Sequence, residues 1–326
     1  MNFWLGIIDS IKFVVSYFRK KTLCHYRPLV VMIEPTNSCN LGCVMCCNKT
    51  MVRERSYMPL ELYKKIIDSN SGFIRQLELY LVGEPLLHPQ LPEMISYAGR
   101  AGIWTRIFTN GTLLDEDNSK KLILSGLNVI VISFDGVVKE KYEEIKQGAS
   151  YNSVLDNIGY FVGLRRSLKK TKPYVSINFI DLGYDKGEKK RFVKKMRKLG
   201  CDDINGVPLH GWPGIDSRDK WHKNQDNHIH CLVPWAEITV LSSGLVTGCC
   251  DDFNGSYIIG DLKDNPDLSS LWNGQRMVNL RSKLVNREYG NLTLCSNCHR
   301  KWRLSFGHSI IKNSLWSLKE RLGIRL

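Results

Sequence analysis

The sequence lacks three features that would each place it in a familiar class of protein. It has no secretory signal, because Asp9 and Lys12 interrupt the apolar N-terminal stretch and no small-residue cleavage site follows it. It has no apolar run long enough to span a bilayer. It also lacks the signatures of the usual RNA-binding modules, so a nucleic-acid substrate or partner is not expected.

The chain is nevertheless strongly basic, with a formal net charge of +14. Such a balance is compatible with nucleic acid, a membrane surface or an acidic substrate as a partner. Much of the charge lies on apparent helix faces such as residues 188–198, and charge runs of this kind are typical of a solvated surface. We therefore expect most of the charge to be an ordinary property of the exposed surface.

Cysteine, in contrast, is plentiful. The chain has eleven cysteines in 326 residues. Because no export signal is present, we expect a cytoplasmic protein whose cysteines are reduced and available to bind metal. The length predicts one large domain and one smaller domain, with enough apolar residues to bury a sizeable core.

The first 21 residues form an amphipathic segment with two open interpretations. Basic residues follow it at positions 19–21. Its apolar residues fall at helical spacing: Phe3, Trp4, Ile7, Ile8, Ile11, Val14, Val15 and Phe18. We expect this helix to pack on the body of the protein. The alternative is peripheral contact of residues 1–21 with a membrane surface.

From Pro28 onward, short β-branched runs alternate with amphipathic stretches, which predicts an α/β fold with a parallel sheet. The predicted strands are 29–34, 77–82, 105–109, 129–134, 175–180 and 204–209. The predicted helices between them are 59–68, 92–100, 119–125, 154–168 and 188–199. Six such units favour a partial (β/α)6 TIM-like barrel, although the pattern alone also allows a doubly wound sheet. Both folds gather the strand ends on one face.

The pattern also predicts where the chain divides. The expected segments are an N-terminal amphipathic segment at 1–27, a core at 28–210, a polar linker at 211–230, a cysteine-rich domain at 231–303 and a C-terminal helical tail at 304–326. In the cysteine-rich domain, residues 238–249 are typical of a β-hairpin, and a helical stretch follows at about 268–285.

Three cysteines follow the first predicted strand in the pattern C-x-x-x-C-x-x-C, namely Cys39, Cys43 and Cys46. Three thiolates leave one position open on an iron–sulfur cubane, whereas a structural zinc site needs four ligands. Cys47 could supply a fourth, but adjacent cysteines rarely reach the same metal ion. Zinc is therefore the less favoured alternative at this loop.

From residue 28 to residue 209 the chain resembles the radical S-adenosylmethionine superfamily. The motifs that carry the resemblance end the second, third and fourth strands: Val-Gly-Glu-Pro at 82–85, Thr-Asn-Gly at 109–111 and Ser-Phe-Asp-Gly at 133–136. The family usually has Gly where this chain has Val82, and an aromatic residue where it has Met45. The resemblance implies cofactor contacts from Met45, Gly83, Glu84, Thr109, Asn110, Ser133 and Asp135.

The resemblance also implies a chemistry. A 4Fe–4S cluster on the three cysteines and bound S-adenosylmethionine would generate a 5′-deoxyadenosyl radical, which abstracts hydrogen from the substrate. The electron would come from a reductant such as flavodoxin or ferredoxin. No catalytic base is identified from the sequence. Asn178, Asp181 and His210 lie at predicted strand ends and are candidates for substrate contact, but such residues are more often turn formers.

Four later cysteines form a second set: Cys231, Cys249, Cys295 and Cys298. Their spacing resembles the SPASM and Twitch extensions of the same superfamily over residues 231–303. It is closer to the Twitch form, because no cysteine follows Cys298. The resemblance implies a second 4Fe–4S cluster. A zinc site with four thiolates is the alternative, and the C-x-x-C-H pattern of c-type haem is rejected because export is not expected. Cys24, Cys47, Cys201 and Cys250 have no assigned role.

Three functions stay open. The favoured one is oxidation of a small polar metabolite by a dehydrogenase-like enzyme, with the second cluster as electron acceptor. The second is modification of a peptide substrate. It is disfavoured because about 28 residues precede the first predicted strand, too few for the leader-binding domain of many peptide maturases. The third is a zinc-stabilised binding module without enzymatic activity.

Overall fold

A computed structural model describes residues 3–209, 230–290, 292–296 and 298 of the chain. Its central element is a nine-stranded sheet in the order β6-β5-β4-β3-β2-β1-β7-β8-β9. The strands are β1 (Val30–Ile33), β2 (Gln76–Leu79), β3 (Trp104–Thr109), β4 (Val129–Ser133), β5 (Tyr174–Ile180), β6 (Asp203–Val207), β7 (Glu237–Val240), β8 (Leu245–Thr247) and β9 (Ile258–Asp261). β1 to β7 pair in parallel, while β8 and β9 are antiparallel.

Helices flank this sheet. They are α1 (Phe3–Phe18), α2 (Leu60–Asn70), α3 (Leu91–Arg100), α4 (Glu116–Leu124), α5 (Lys139–Ile145), α6 (Tyr151–Ser167), α7 (Lys186–Leu199), α8 (Val233–Ala236), α9 (Leu268–Trp272), α10 (Gln275–Asn286) and α11 (Thr293–Ser296). Alternate strand residues such as Val31 and Ile33 pack in the helix-facing core. Trp104, Val129 and Val131 form a separate cluster on the inner face.

The predicted partial barrel is confirmed. β1 to β6 lie next to one another in chain order, whereas a doubly wound sheet would reverse its order beside the first strand. Some helices differ from the prediction. α5 was not anticipated, and the helix expected at 268–285 is divided into α9 and α10. At the division, Gly274 is extended, and the Asn273 side chain hydrogen-bonds the backbone of Cys24 at 2.8 and 3.0 Å.

The cysteine-rich region continues the barrel sheet. β7 pairs in parallel with β1, with Val30 opposite Glu237 and Ile33 opposite Val240. The predicted hairpin is present as β7 and β8, turning through Gly244 at a φ of +91°. Glycine suits this turn because other residues rarely adopt that conformation. The added strand β9 was not predicted.

α1 lies at the N-terminal ends of the barrel strands. Phe13 and Tyr17 are buried, and Asp9 forms ion pairs with Arg27 and Arg75 at 3.0 and 3.1 Å. One face of the helix therefore packs on the body of the protein. Among the described helices, none is long and apolar enough to cross a membrane. The expected C-terminal tail at 304–326, His210 and all but the last residue of the expected linker at 211–230 lie outside the described residues.

Candidate active site and a second cysteine cavity

A cavity of about 250 Å³ opens where the parallel strands end. Its wall brings together every residue that the sequence predicted for the first cluster and its cofactor. These residues are Cys39, Cys43, Met45, Cys46, Gly83, Glu84, Thr109, Asn110, Ser133 and Asp135. Residues that are distant in sequence meet here because parallel strands all present their carboxyl ends to one side.

Two sets of backbone contacts hold the cysteine loop. On one side, Gly42 and Val44 donate their N–H groups to the carbonyls of Gln147 and Ile145, both at 3.0 Å. On the other, the Asn37 side chain donates to the Glu54 carbonyl at 2.7 Å. The loop is thereby fixed between the end of α5 and the segment that precedes α2.

The three thiols of this loop differ in acidity. Burial raises the pKa of Cys39, and it raises the pKa of Cys43 to about 11. A hydrogen bond from Cys47 lowers the pKa of Cys46 to about 6, and the N–H of Asn48 assists from 3.4 Å. Metal ligation requires thiolates, so a bound cluster would have to stabilise the charge on Cys39 and Cys43.

Cys47 points away from the cavity. Its side chain is fully buried and packs with Val82 and Phe253. Burial raises its pKa far above the ordinary value. Cys47 therefore behaves as a small apolar residue that donates one hydrogen bond, and three cysteines are left to line the cavity.

Gly83 and Glu84 join the cysteine loop to the sheet. A side chain at Gly83 would come within 2.1 Å of the Thr36 carbonyl oxygen, so only glycine fits this approach. The Glu84 N–H donates to the Ser38 carbonyl at 2.8 Å. The Glu84 carboxylate accepts hydrogen bonds from Thr109 Oγ1 and the Asn110 N–H, both at 2.7 Å, and from the Leu86 N–H at 3.1 Å.

The environment of Glu84 leaves capacity for a ligand. Burial raises its pKa, and the hydrogen bonds from the Asn110 backbone and Thr109 oppose that effect. Its Oε1 accepts two hydrogen bonds and its Oε2 accepts one. A carboxylate oxygen has two lone pairs, so Oε2 retains one acceptor position for a donor such as an amino group.

Lys146 is a functional candidate that the sequence analysis missed. Its ammonium lies 2.6 Å from Asp135 Oδ2, its side chain is 5% exposed, and it lines the cavity. Burial alone would lower its pKa, but the negative charges of Asp135 and Cys43 raise it above the ordinary value. Lys146 is therefore a fixed positive charge. No signal in the sequence distinguishes it from the exposed lysines of the same stretch, such as Lys139 and Lys141.

Much of the remaining wall is formed by side chains at or just beyond the ends of strands. Tyr80 and Phe108 contact each other with ring centroids 4.0 Å apart. Ile180 and Leu209 complete this side. Asp181, a candidate from the sequence, instead pairs with Lys189 at 2.9 Å and accepts the N–H of Gly183 in a turn.

Asn178 takes part in the backbone hydrogen bonding of the sheet. It pairs with Ser133 in the sheet, and its carbonyl accepts the N–H of Phe134 at 2.8 Å. Neither Asn178 nor Asp181 contributes to the cavity wall within the described residues. Turn formation, which the sequence analysis gave as the more common role of such residues, is therefore the role that the structure supports for Asp181.

The second cysteine set surrounds another cavity, of about 90 Å³. Its four cysteines are Cys231, Cys249, Cys295 and Cys298. Cys231 precedes α8 and Cys249 follows β8, while a turn with a 3.2 Å bond from the Cys298 N–H to the Cys295 carbonyl joins the last pair. Three segments of the chain thus contribute thiols to one enclosed space.

The structure separates Cys249 from its neighbour Cys250. Cys249 lines the cavity and accepts the N–H of Asp251 at 3.4 Å. Cys250 is outside the cavity wall, and its N–H donates to Glu237 Oε1 at 3.2 Å. Burial and the charge of Cys295 raise the pKa of Tyr289, another wall residue, to about 12.

Both donor sets fit a cluster of several atoms. In the described part of the chain, no three Cys, His, Asp or Glu side chains meet around one point as ligands of a single ion. The cysteines instead surround cavities, three around the larger and four around the smaller. Thiolate sets of three and four are the ligands of open and closed 4Fe–4S clusters.

Comparison with known protein families agrees with this geometry. Residues 33–167 match the model of the radical SAM superfamily. Residues 231–299 match the SPASM model, an iron–sulfur cluster-binding domain. The two matches contain the first and the second cysteine set, respectively.

Two relatives match most of the chain. One is a tungsten-containing aldehyde ferredoxin oxidoreductase cofactor-modifying protein of Pyrococcus furiosus, 25% identical over 81% of this chain and 86% of the relative. The other is an S-adenosyl-L-methionine-dependent 2-deoxy-scyllo-inosamine dehydrogenase of Niallia circulans, 24% identical over 83% of this chain and 92% of the relative.

A solved structure shares the fold. SuiB of Streptococcus suis bound to its precursor peptide SuiA superposes with a TM-score of 0.65, at 14% identity, over 83% of this chain and 70% of that chain. The expected cofactors follow from the two domains, which bind a 4Fe–4S cluster with S-adenosylmethionine and a further iron–sulfur cluster. This chain therefore combines a radical SAM domain at residues 33–167 with a C-terminal SPASM iron–sulfur cluster-binding domain at residues 231–299.

Proposed function

We propose that this enzyme oxidises a small polar metabolite by two electrons. The observation that carries the proposal is the second cavity, where four cysteines surround a space of about 90 Å³. A cluster with four protein ligands has no open iron for a substrate, so its available role is electron transfer. An electron acceptor near the site suits a net oxidation.

In the first cavity, Cys39, Cys43 and Cys46 would hold the catalytic cluster, with one iron left for the cofactor. When bound, that cluster and S-adenosylmethionine would supply a 5′-deoxyadenosyl radical for removal of a hydrogen atom from the substrate. The second cluster would supply an acceptor for one electron. Loss of the hydrogen atom, one electron and one proton would together convert an alcohol into a carbonyl.

The charges of the cavity suit the amino acid portion of the cofactor. Lys146 is a buried cation that can bind a carboxylate. Glu84 Oε2 has an acceptor position left for an ammonium group. Thr109, Asn110 and Met45 line the same wall, and they complete the proposed cofactor contacts together with Gly83, Ser133 and Asp135.

Tyr80 and Phe108 shield one side of the first cavity from solvent. Their rings are tilted against each other and cover one side of the cavity, and the guanidinium of Arg106 lies 4.7 Å from the centroid of the Phe108 ring. Arg106 is itself buried and paired with Glu78. This wall restricts access of water to a reactive intermediate.

The relative from Niallia circulans supports the oxidation, because it is named as a dehydrogenase and matches over 92% of its own length. The likeness to SuiB concerns the fold alone, so it does not favour a peptide substrate over a metabolite. Modification of a peptide is retained as the outcome that would replace the proposal.

The test is an anaerobic assay of the reconstituted enzyme with a panel of small polyols and aminocyclitols, followed by mass spectrometry. We expect one product that is two hydrogens lighter than its substrate for each 5′-deoxyadenosine formed. A product of unchanged mass, or turnover only with a peptide panel, would contradict the oxidation.

A further inference from the structure

The side of α1 that faces away from the protein is apolar. Asp9, Phe13 and Tyr17 are buried against the body. At 100° per residue, the opposite side of the helix carries only apolar residues. They are Ile8 at 42% exposure, Ile11 at 58%, Val14 and Val15 at 41% and Phe18 at 58%. We call these five residues the outer face of α1.

This outer face differs from the other exposed apolar residues of the described chain. Those residues, such as Val52, Leu124 and Tyr160, are dispersed over separate elements, and single exposed apolar residues need no explanation. The outer face is instead one continuous stripe on a helix whose other side is already packed. Leu23, at 48% exposure, follows shortly after it. A contiguous stripe of this kind indicates an interaction surface.

The charges beside the stripe are all positive. Lys12 is exposed on the helix, and Arg19, Lys20 and Lys21 are exposed directly after it. The one acidic residue of the helix, Asp9, is buried and paired with Arg27 and Arg75. An apolar stripe flanked by basic residues complements the interface of an anionic bilayer, where acyl chains meet negative headgroups.

We propose that the outer face of α1 inserts into the interfacial region of an anionic phospholipid membrane. Pairing of two copies through the same face would bring the basic residues of both chains together, which electrostatics disfavours. The helix has 16 residues and lies along the surface, so it would rest in the plane of the headgroups rather than cross the bilayer.

The position of α1 leaves the active site accessible. Its partners Arg75 and Trp235 immediately precede β2 and β7, and Tyr26 lies shortly before β1. α1 therefore lies at the N-terminal ends of the strands, whereas the first cavity opens at their carboxyl ends. A membrane bound at α1 would face the end of the barrel opposite the cavity.

The test uses the full-length protein and vesicle co-sedimentation. Vesicles of phosphatidylcholine with phosphatidylglycerol should retain the protein, and vesicles of phosphatidylcholine alone should retain much less. The double variant Ile11→Glu with Phe18→Glu should lose about tenfold or more of its partitioning, because carboxylates replace the apolar contacts and repel the anionic surface. The matched control is Leu124→Glu with Tyr160→Glu, which alters exposed apolar residues elsewhere and should bind like the wild type.

Three results would overturn the proposal. The first is equal binding by the Ile11/Phe18 variant and the wild type, with unchanged circular dichroism in both. The second is that the wild-type protein does not bind and that binding appears only after residues 304–326 are deleted. That result would mean that this segment keeps the outer face of α1 from the membrane. The third is a concentration-dependent dimer in analytical ultracentrifugation that the Ile11/Phe18 variant abolishes.

Discussion

The two cysteine cavities share a local design and differ in their size and charge. In each, a Cys-Cys pair contributes only its first member to the wall, and that thiol accepts the N–H of the residue two positions later at 3.4 Å. The first cavity has three cysteines and about 250 Å³, and the second has four and about 90 Å³. The second cavity therefore has one more thiol than the first and less space for a ligand.

The charged residues show the same division. Glu84, Asp135 and Lys146 line the first cavity beside its thiols. The wall of the second has one charged residue, Asp252, whose carboxylate accepts hydrogen bonds from Ser256 and Tyr257, and it is otherwise lined by tyrosines, leucines and small residues beside the thiols. A site that must admit a charged cofactor needs fixed charges to orient it, whereas a site that holds only a cluster needs thiolates and exclusion of water. The comparison therefore assigns substrate chemistry to the first cavity.

The largest expected effect distinguishes members of one Cys-Cys pair. Cys46→Ala should abolish cleavage of S-adenosylmethionine and remove about four of eight irons, because two thiols do not hold the catalytic cluster. Cys47→Ala should retain both clusters and most of the cleavage, since Cys47 packs outside the cavity. Iron analysis and 5′-deoxyadenosine assays measure both effects. Equal loss in the two variants would refute the distinction.

The second cavity should show a different pattern. In the double variant Cys295→Ala with Cys298→Ala, the second cluster is lost but cleavage of S-adenosylmethionine persists, because the first cavity is intact. Product should fall about tenfold more than cleavage, since the substrate radical has lost its electron acceptor. Cys250→Ala is the matched control. A proportional fall of product and cleavage in a folded variant would indicate a structural role for the second cluster.

The charge of the first cavity can be tested at Lys146. Lys146→Ala should weaken binding of S-adenosylmethionine by about 10-fold to 100-fold, the range expected for a lost charge-assisted hydrogen bond. Lys146→Arg should retain most of the affinity. Equilibrium binding and KM measure the effect, with iron content as the control. Normal affinity in Lys146→Ala would mean that this cation only supports Asp135.

The smallest expected effect is on the free energy of unfolding, and it compares the rigidity of the walls of the two cavities. A methyl group at Gly83 would meet the Thr36 carbonyl oxygen at 2.1 Å, and one at Gly248 would meet the end of the Leu280 side chain at 2.7 Å. A backbone carbonyl group cannot move aside as readily as the end of a side chain can. Gly83→Ala should therefore destabilise the protein by about 3 kcal/mol and Gly248→Ala by about 1 kcal/mol. Anaerobic urea unfolding compares them, and the reverse order would show that the first wall can relax.

The first cavity could be predicted because its cysteine loop and the motifs that resemble the radical S-adenosylmethionine superfamily lie at the ends of predicted strands. Cys39 and Gly83 follow their strands, Thr109 and Ser133 end theirs, and the topology of parallel strands brings such positions together. Lys146 has no such marker. It follows α5, a helix too short and too polar to show a periodic pattern, and its burial depends on contacts that only the folded chain provides.

The second cavity was less predictable for a related reason. The hairpin and the four cysteines were recognisable, but the pairing of β7 with β1 joins residues 30–33 to residues 237–240. No local sequence pattern indicates that two strands so far apart in the chain will pair. The division between α9 and α10 likewise depends on Asn273 binding the distant backbone of Cys24.

The pairing of β1 with β7 also has a consequence for biosynthesis. During translation, the edge of β1 that will bind β7 stays open until the ribosome has delivered residue 240. An open edge of four apolar residues is a template for pairing with other nascent chains. Closing it late requires a long chain loop, which slows folding. We therefore expect truncated chains that end before residue 237 to aggregate.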